Sequence, residues 1–87
     1  MTDSTRITMY GADWCIDCRR AKAVLDTNAV DYDYVDVEVS KEAADAAHAI
    51  SGRTNIPVIV FPDGTHQVEP SDATLKAKLV EVGALAD

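Results

Sequence analysis

Apolar and polar positions along this chain alternate in blocks, and the spacing within each block changes from one to the next. Residues 7–10 form a short apolar run stopped by Gly11, which predicts a buried strand. Gly11-Ala12-Asp13-Trp14 reads as a loop. From Cys15 onward, Ala21, Val24, Leu25 and Asn28 recur at helical spacing beside a basic stripe of Arg19, Arg20 and Lys22. Asp26-Thr27-Asn28 suits the helix end. Residues 30–39 are rich in β-branched and aromatic side chains that largely alternate with acidic ones, which predicts a second strand. Its acidic members Asp31, Asp33, Asp36 and Glu38 read as a solvated edge that discourages aggregation.

Ser40 can cap a second helix, with Lys41 and Glu42 in its first turn, Ala43, Ala47 and Ile50 on its buried side, and Gly52 closing it. Residues 56–61 are the most hydrophobic strand. Pro62-Asp63-Gly64-Thr65 is a turn signal, and His66-Gln67-Val68 can return antiparallel. Pro70-Ser71-Asp72 opens a last helix, with Ser71 as its cap, Leu75, Leu79 and Val82 as its apolar stripe and Gly83 at its end. The order is β-α-β-α-β-β-α. Strands joined by a helical crossover should run parallel, and the last two strands form a hairpin.

At 87 residues the chain is long enough for one domain, residues 1–87, and too short for two. Its apolar fraction of 47% is that of a folded globular protein. Eight basic against fifteen acidic side chains give a net charge of -7, which argues against nucleic acid as a partner. Residues 1–6 show no basic segment leading into an apolar stretch, and no run reaches transmembrane length. A cytoplasmic monomer that meets neither membrane nor nucleic acid is the expectation.

Both cysteines lie in Trp14-Cys15-Ile16-Asp17-Cys18, just ahead of the first helical pattern. Two thiols at that spacing can close a disulfide when they start a helix, because the first turn brings their side chains together. Unpaired N–H groups and the positive end of the helix dipole favour a thiolate there. The expectation is a reversibly oxidised dithiol, with Cys15 as the exposed nucleophile and Cys18 one turn further in. Cys18 either resolves the intermediate or serves as a buried small hydrophobe. Two other readings stand beside this one. A zinc site completed by His48 and His66 would need ligands that lie far apart in sequence, and a structural disulfide would need an oxidising compartment.

The dithiol after the first strand, together with Ile56-Pro57 opening the third, resembles the thioredoxin superfamily. The element order resembles its glutaredoxin branch, and within that branch the chain looks most like the mycoredoxins. Trp14-Cys15, Val35-Asp36-Val37, Phe61-Pro62-Asp63-Gly64, Pro70-Ser71 and the segment 75–80 carry the likeness, which spans roughly residues 6–82.

That resemblance implies an α/β, thioredoxin-like fold with a four-stranded mixed sheet flanked by three helices. It implies a thiol–disulfide oxidoreductase in which Cys15 attacks mixed disulfides between proteins and a low-molecular-weight thiol. That thiol would be mycothiol, or less closely glutathione, with no tightly bound cofactor. It further implies a cis bond before Pro57, facing the dithiol, with the Ile56 backbone pairing with substrate. Trp14, Arg19, Thr54, Ser71 and Asp72 are further candidates for substrate contact, with Arg20 and Arg53 beside them. Val68-Glu69-Pro70-Ser71 stands where glutaredoxins usually carry a glycine pair, a departure that bears on glutathione as the thiol. The alternative is a dithiol redoxin recharged by a flavin disulfide reductase that donates to protein disulfides. From another class, the alternative is a zinc or iron–sulfur protein.

Overall fold

The computed structural model describes residues 6–85, so the reading of residues 1–5 as no signal peptide lies outside the described residues. The chain runs β1 (Ile7–Gly11), α1 (Ile16–Thr27), β2 (Tyr32–Asp36), α2 (Lys41–Ser51), β3 (Val58–Val60), β4 (His66–Val68) and α3 (Asp72–Glu81). The strands lie in the order β2-β1-β3-β4. β1 pairs parallel with β2 and antiparallel with β3, and β3 pairs antiparallel with β4. The mixture follows from the connections. A helical crossover returns the chain in the same direction, whereas the tight turn over residues 62–65 can only reverse it.

Met9 sits opposite Ile59 and Tyr10 opposite Val58, so the pleat sends neighbouring pairs to opposite faces. On one face Ile7, Met9 and Ile59 meet Leu25 of α1 and Leu75 and Leu79 of α3, all at most 1% exposed. On the other, Val58 is buried with Ala43 and Ala47, where α2 packs on β1 and β4. Ser40 and Ser71 cap α2 and α3 as expected, accepting from the N–H of Ala43 and Thr74. Gly52 ends α2 at φ 72, a left-handed conformation that glycine adopts without the usual Cβ penalty.

Three expectations change. The second strand stops at Asp36 rather than reaching residue 39, because its partner β1 ends opposite it at Gly11. Val37 N–H makes the last bond, to Gly11 O, and the Asp36 carboxylate then accepts from Glu38 N–H and turns the chain. The third strand is only Val58–Val60. Pro57 has no N–H to give, and Phe61 N–H is already taken by Thr65 O across the turn. Ile50, expected on the buried side of α2, is 36% exposed, since the short strands β3 and β4 leave the last turn of that helix without a platform.

β2 is an edge strand; the acidic groups Asp31, just before it, and Asp33 are exposed, as expected, and Arg6 meets them at the surface. Arg6 makes two hydrogen bonds to Asp33, at 3.1 and 2.9 Å, and stands 3.6 Å from Asp31. Lys78 likewise ties α3 to the β3–β4 turn through Asp63 at 2.6 Å, its ammonium also over the Phe61 ring. Among the described residues, no helix is long and apolar enough to cross a membrane.

Candidate functional site

β1 delivers the chain into the loop Ala12-Asp13-Trp14, where buried Ala12 accepts a hydrogen bond from Cys15 N–H at 3.2 Å. That turn sets Cys15 as the N-cap of α1, in an extended conformation with φ -81 and ψ 118. Its sulfur takes the place of a capping oxygen and accepts from Cys18 N–H at 3.3 Å. The same sulfur stands 3.8 Å from the carbonyl oxygen of Ile56, to which the thiol donates. The Ile56–Pro57 bond is cis. The helix start and the β3 approach, far apart in sequence, therefore meet at one sulfur atom.

Cys15 is 9% exposed, which corrects the expectation of a freely exposed nucleophile. The loop and the Ile56 carbonyl close over it, while its neighbours Trp14 and Ile16 are 65% and 69% exposed. Cys18 lies deeper, at 1%. Burial pushes its thiol up to about 12, helped by its hydrogen bond to the Cys15 side chain and by the charges of Cys15 and Asp17, against a lowering contact from the Ala12 backbone. Asp17 is paired with Arg20 at 3.2 Å. Behind Cys18 stands Tyr34. Its phenol is pushed up to about 12, mainly by burial and then by the charges of Asp13, Asp36 and Cys18.

The remaining predicted residues fall into separate places. Thr54 and Ile56 line a solvent-open hollow of about 100 Å³ with Arg53, Val37, Ala47 and His48. The backbone carbonyl of the same Ile56 meets the Cys15 sulfur. Asp72 instead lines a hollow between α1 and α3 with Arg20, Thr27 and Lys76. The Ser71 hydroxyl is engaged at Thr74, from which it accepts the N–H and to whose hydroxyl it donates. Arg19 is exposed on α1. His48 and His66 lie on α2 and β4, and among the described residues no group of three or more His, Cys, Asp or Glu side chains is arranged to hold a metal ion. Sequence reasoning missed Val37 and His48 as part of the hollow, and Gly11 and Tyr34 as the wall behind Cys18. Their spacing carries no local signal of either role.

Residues 7–67 match the family model described as Glutaredoxin. The chain is 36% identical over 77 residues to a Mycobacterium tuberculosis protein named "Putative glutaredoxin", covering 87% of this chain and 92% of that one. It is 33% identical over 76 residues to Mycoredoxin 1 of Corynebacterium glutamicum, covering 86% and 94% respectively. Among solved structures, the glutaredoxin-like protein NrdH-redoxin of Escherichia coli superposes with a TM-score of 0.73 at 25% identity, covering 84% of this chain and 93% of that one.

Proposed function

This chain belongs to the glutaredoxin family of thiol–disulfide oxidoreductases, and on that premise we propose that it removes a low-molecular-weight thiol from oxidised proteins through Cys15, with mycothiol as the thiol. The observation that carries this reading is the asymmetry of the two thiols. The Cys15 sulfur caps a helix and meets the backbone carbonyl of Ile56, while Cys18 is buried more deeply and burial pushes its thiol up. This asymmetry favours Cys15 as the thiol that reacts first.

In this reading Cys15, as a thiolate, attacks the small thiol's sulfur in a protein mixed disulfide. The S–S bond between the small thiol and the protein's sulfur breaks, the departing protein thiolate takes up a proton, and Cys15 keeps the small thiol as its own mixed disulfide. A second molecule of the small thiol then attacks that disulfide. It leaves as the oxidised dimer and restores the Cys15 thiolate. The net exchange consumes one free small thiol and the mixed disulfide, and yields the reduced protein thiol and the small thiol's own disulfide.

Ile56 offers its backbone beside cis Pro57, as a sheet edge pairs with an added strand. Thr54 and Arg53 present polar groups along the hollow, Trp14 and Arg19 are exposed on either side of the dithiol in sequence, and Ser71 and Asp72 offer backbone N–H groups at the start of α3. The protein works as a single domain and a monomer in the cytoplasm, where small thiols stay reduced.

Turnover of one mixed-disulfide substrate measured side by side with mycothiol and with glutathione tests this reading. Faster turnover with mycothiol supports it, and preference for glutathione removes the mycothiol assignment. The likeness to NrdH-redoxin, whose structure is described by a thioredoxin-like activity profile, favours a second reading as a dithiol donor to protein disulfides recharged by a flavin reductase. Turnover with neither small thiol, but with a flavin disulfide reductase, establishes that second reading.

A further inference from the structure

Gly11 ends β1 directly behind the dithiol, opposite Asp36 of β2. Its φ is not left-handed, so nothing in the backbone there calls for glycine. The space does. A Cβ at this position would stand 3.0 Å from the Cys18 sulfur, 3.2 Å from its Cβ and 3.4 Å from Cε1 of the Tyr34 ring. The first two distances are tighter than most real Cβ contacts, so Cys18 would have to give by a few tenths of an ångström, and neither atom is the end of a long flexible side chain. The reduced Cys18 sulfur therefore occupies a niche that exists because residue 11 has no side chain. Its roof is the ring of Tyr34, held by a hydrogen bond from the phenol to Asp13 at 3.5 Å and by Lys22 over its face.

We propose that Gly11 and Tyr34 are positioning residues that set how readily Cys18 displaces a thiol from Cys15, by giving the reduced Cys18 sulfur a niche away from its partner. The inference rests on the dithiol reading of Cys15 and Cys18. The step concerned is an exchange: the Cys18 sulfur bonds to the Cys15 sulfur, the bond from Cys15 to the outgoing thiol breaks, and the Cys18 proton ends on that thiol. In the reduced protein the Cys15 sulfur accepts from the Cys18 backbone N–H, and the Cys18 sulfur rests beside Gly11. In the disulfide the two sulfurs close to about 2.05 Å; on this proposal it is the Cys18 sulfur that moves toward Cys15, away from Gly11. Filling the niche thus crowds the reduced form and relieves itself in the oxidised one. Enlarging the niche does the reverse.

The charged and titratable groups facing Cys18 are Cys15 and Asp17 from the start of α1 and Tyr34 from β2, with Asp13 and Asp36 acting on Tyr34 from the loop and the end of β2. None of them is altered by a methyl at residue 11, so Gly11→Ala reads packing and not charge.

The test equilibrates the whole protein in buffers of reduced and oxidised glutathione and measures the fraction carrying the internal disulfide by thiol alkylation and mass. Gly11→Ala should raise the equilibrium constant for the internal disulfide roughly tenfold, the scale of adding one methyl to a packed site. Tyr34→Leu alone should lower it several-fold, and this keeps the idea testable if Gly11→Ala does not fold. Adding Tyr34→Leu to Gly11→Ala should return the constant close to wild type, because the crowded sulfur can retreat into the space the ring leaves. A fourth comparison guards against a general disturbance of the loop. In a Cys18→Ala background, turnover of a mixed disulfide should be the same with and without Gly11→Ala.

An unchanged or lower constant in Gly11→Ala, no compensation in the double variant, or unequal turnover in the Cys18→Ala pair overturns the proposal. The constant is read in a fixed buffer, so it does not depend on which small thiol the protein uses. Failure of the mycothiol assignment leaves this result standing.

Discussion

The burial of Cys18 has a kinetic consequence that can be worked through. If Cys18 resolves a mixed disulfide held on Cys15, it must first lose its proton. At pH 7.5, a thiol at about 12 is ionised roughly a thousand times less often than one at the ordinary 9.0. A more basic thiolate is also the better nucleophile, by a factor that grows with pKa at a Brønsted slope of about 0.4–0.5, which returns ~20–30-fold. The net retardation is ~30–60-fold against an unperturbed thiol in the same position. Once Cys15 carries the small thiol it bears no charge, so its contribution to the rise disappears while burial remains. The retardation should therefore persist at the lower end.

The assay loads Cys15 with a fluorescent small thiol and follows its release after mixing, from pH 6 to 10.5. Release through Cys18 should climb tenfold per pH unit without levelling up to at least pH 10, and Cys18→Ser should abolish that phase. A plateau near pH 8.5–9 would mean that Cys18 is not held protonated, and the one-thiol reading would lose its physical basis.

Other outcomes follow from the same structure. Cys15→Ser should abolish both removal of a small thiol and reduction of protein disulfides, whereas Cys18→Ser should lose only the second, checked by assaying both substrates on both variants. Leu79→Ala removes a fully buried side chain between α3 and the sheet, and should cost about 3 kcal/mol, read as a fall in urea midpoint at constant slope. Asp63 is held well below the usual carboxylate range by Lys78, then by Thr65. Its folded value lies below its unfolded one, so its contribution to stability is present above about pH 4 and is lost as pH falls. Lys78→Met should accordingly flatten the acid limb of the stability curve, and an unaltered limb would show that the pair contributes nothing.

Lys22 joins α1 to β2 in a way that helps hold the site's rear wall. It bonds to Asp26 at 3.2 Å and to the Tyr32 phenol at 3.0 Å, while Tyr32 donates to Asp26 at 2.8 Å. Its ammonium also lies 5.7 Å from the centroid of the Tyr34 ring. The basic stripe on α1 is therefore partly structural: Lys22 fixes the helix to β2, Arg20 covers Asp17, and Arg19 faces outward from the same helix.

The features legible in the sequence are those fixed within a few residues of chain. The seven elements and their order follow from hydrophobic period, and the caps at Ser40 and Ser71 from a side chain reaching the N–H three residues on. The pairing of Cys15 with Cys18 belongs to the same class, since one helical turn brings them together whatever the rest of the chain does.

Other features depended on segments that meet only after folding. β2 stops at Asp36 because β1, its partner, stops at Gly11, and Ile50 is exposed because the strands under α2 are short. Cys15 is covered because a carbonyl 41 residues away closes over its sulfur, and His48, Arg53 and Val37 share a hollow that no local spacing announces. The niche behind Cys18 is the clearest case. Gly11 reads in sequence as the end of a strand, and only the approach of α1 and the Tyr34 ring to the same point turns its missing side chain into space for a sulfur. Local backbone preference acts over a turn of helix or a strand, whereas burial and close contact are decided by which surfaces meet in three dimensions.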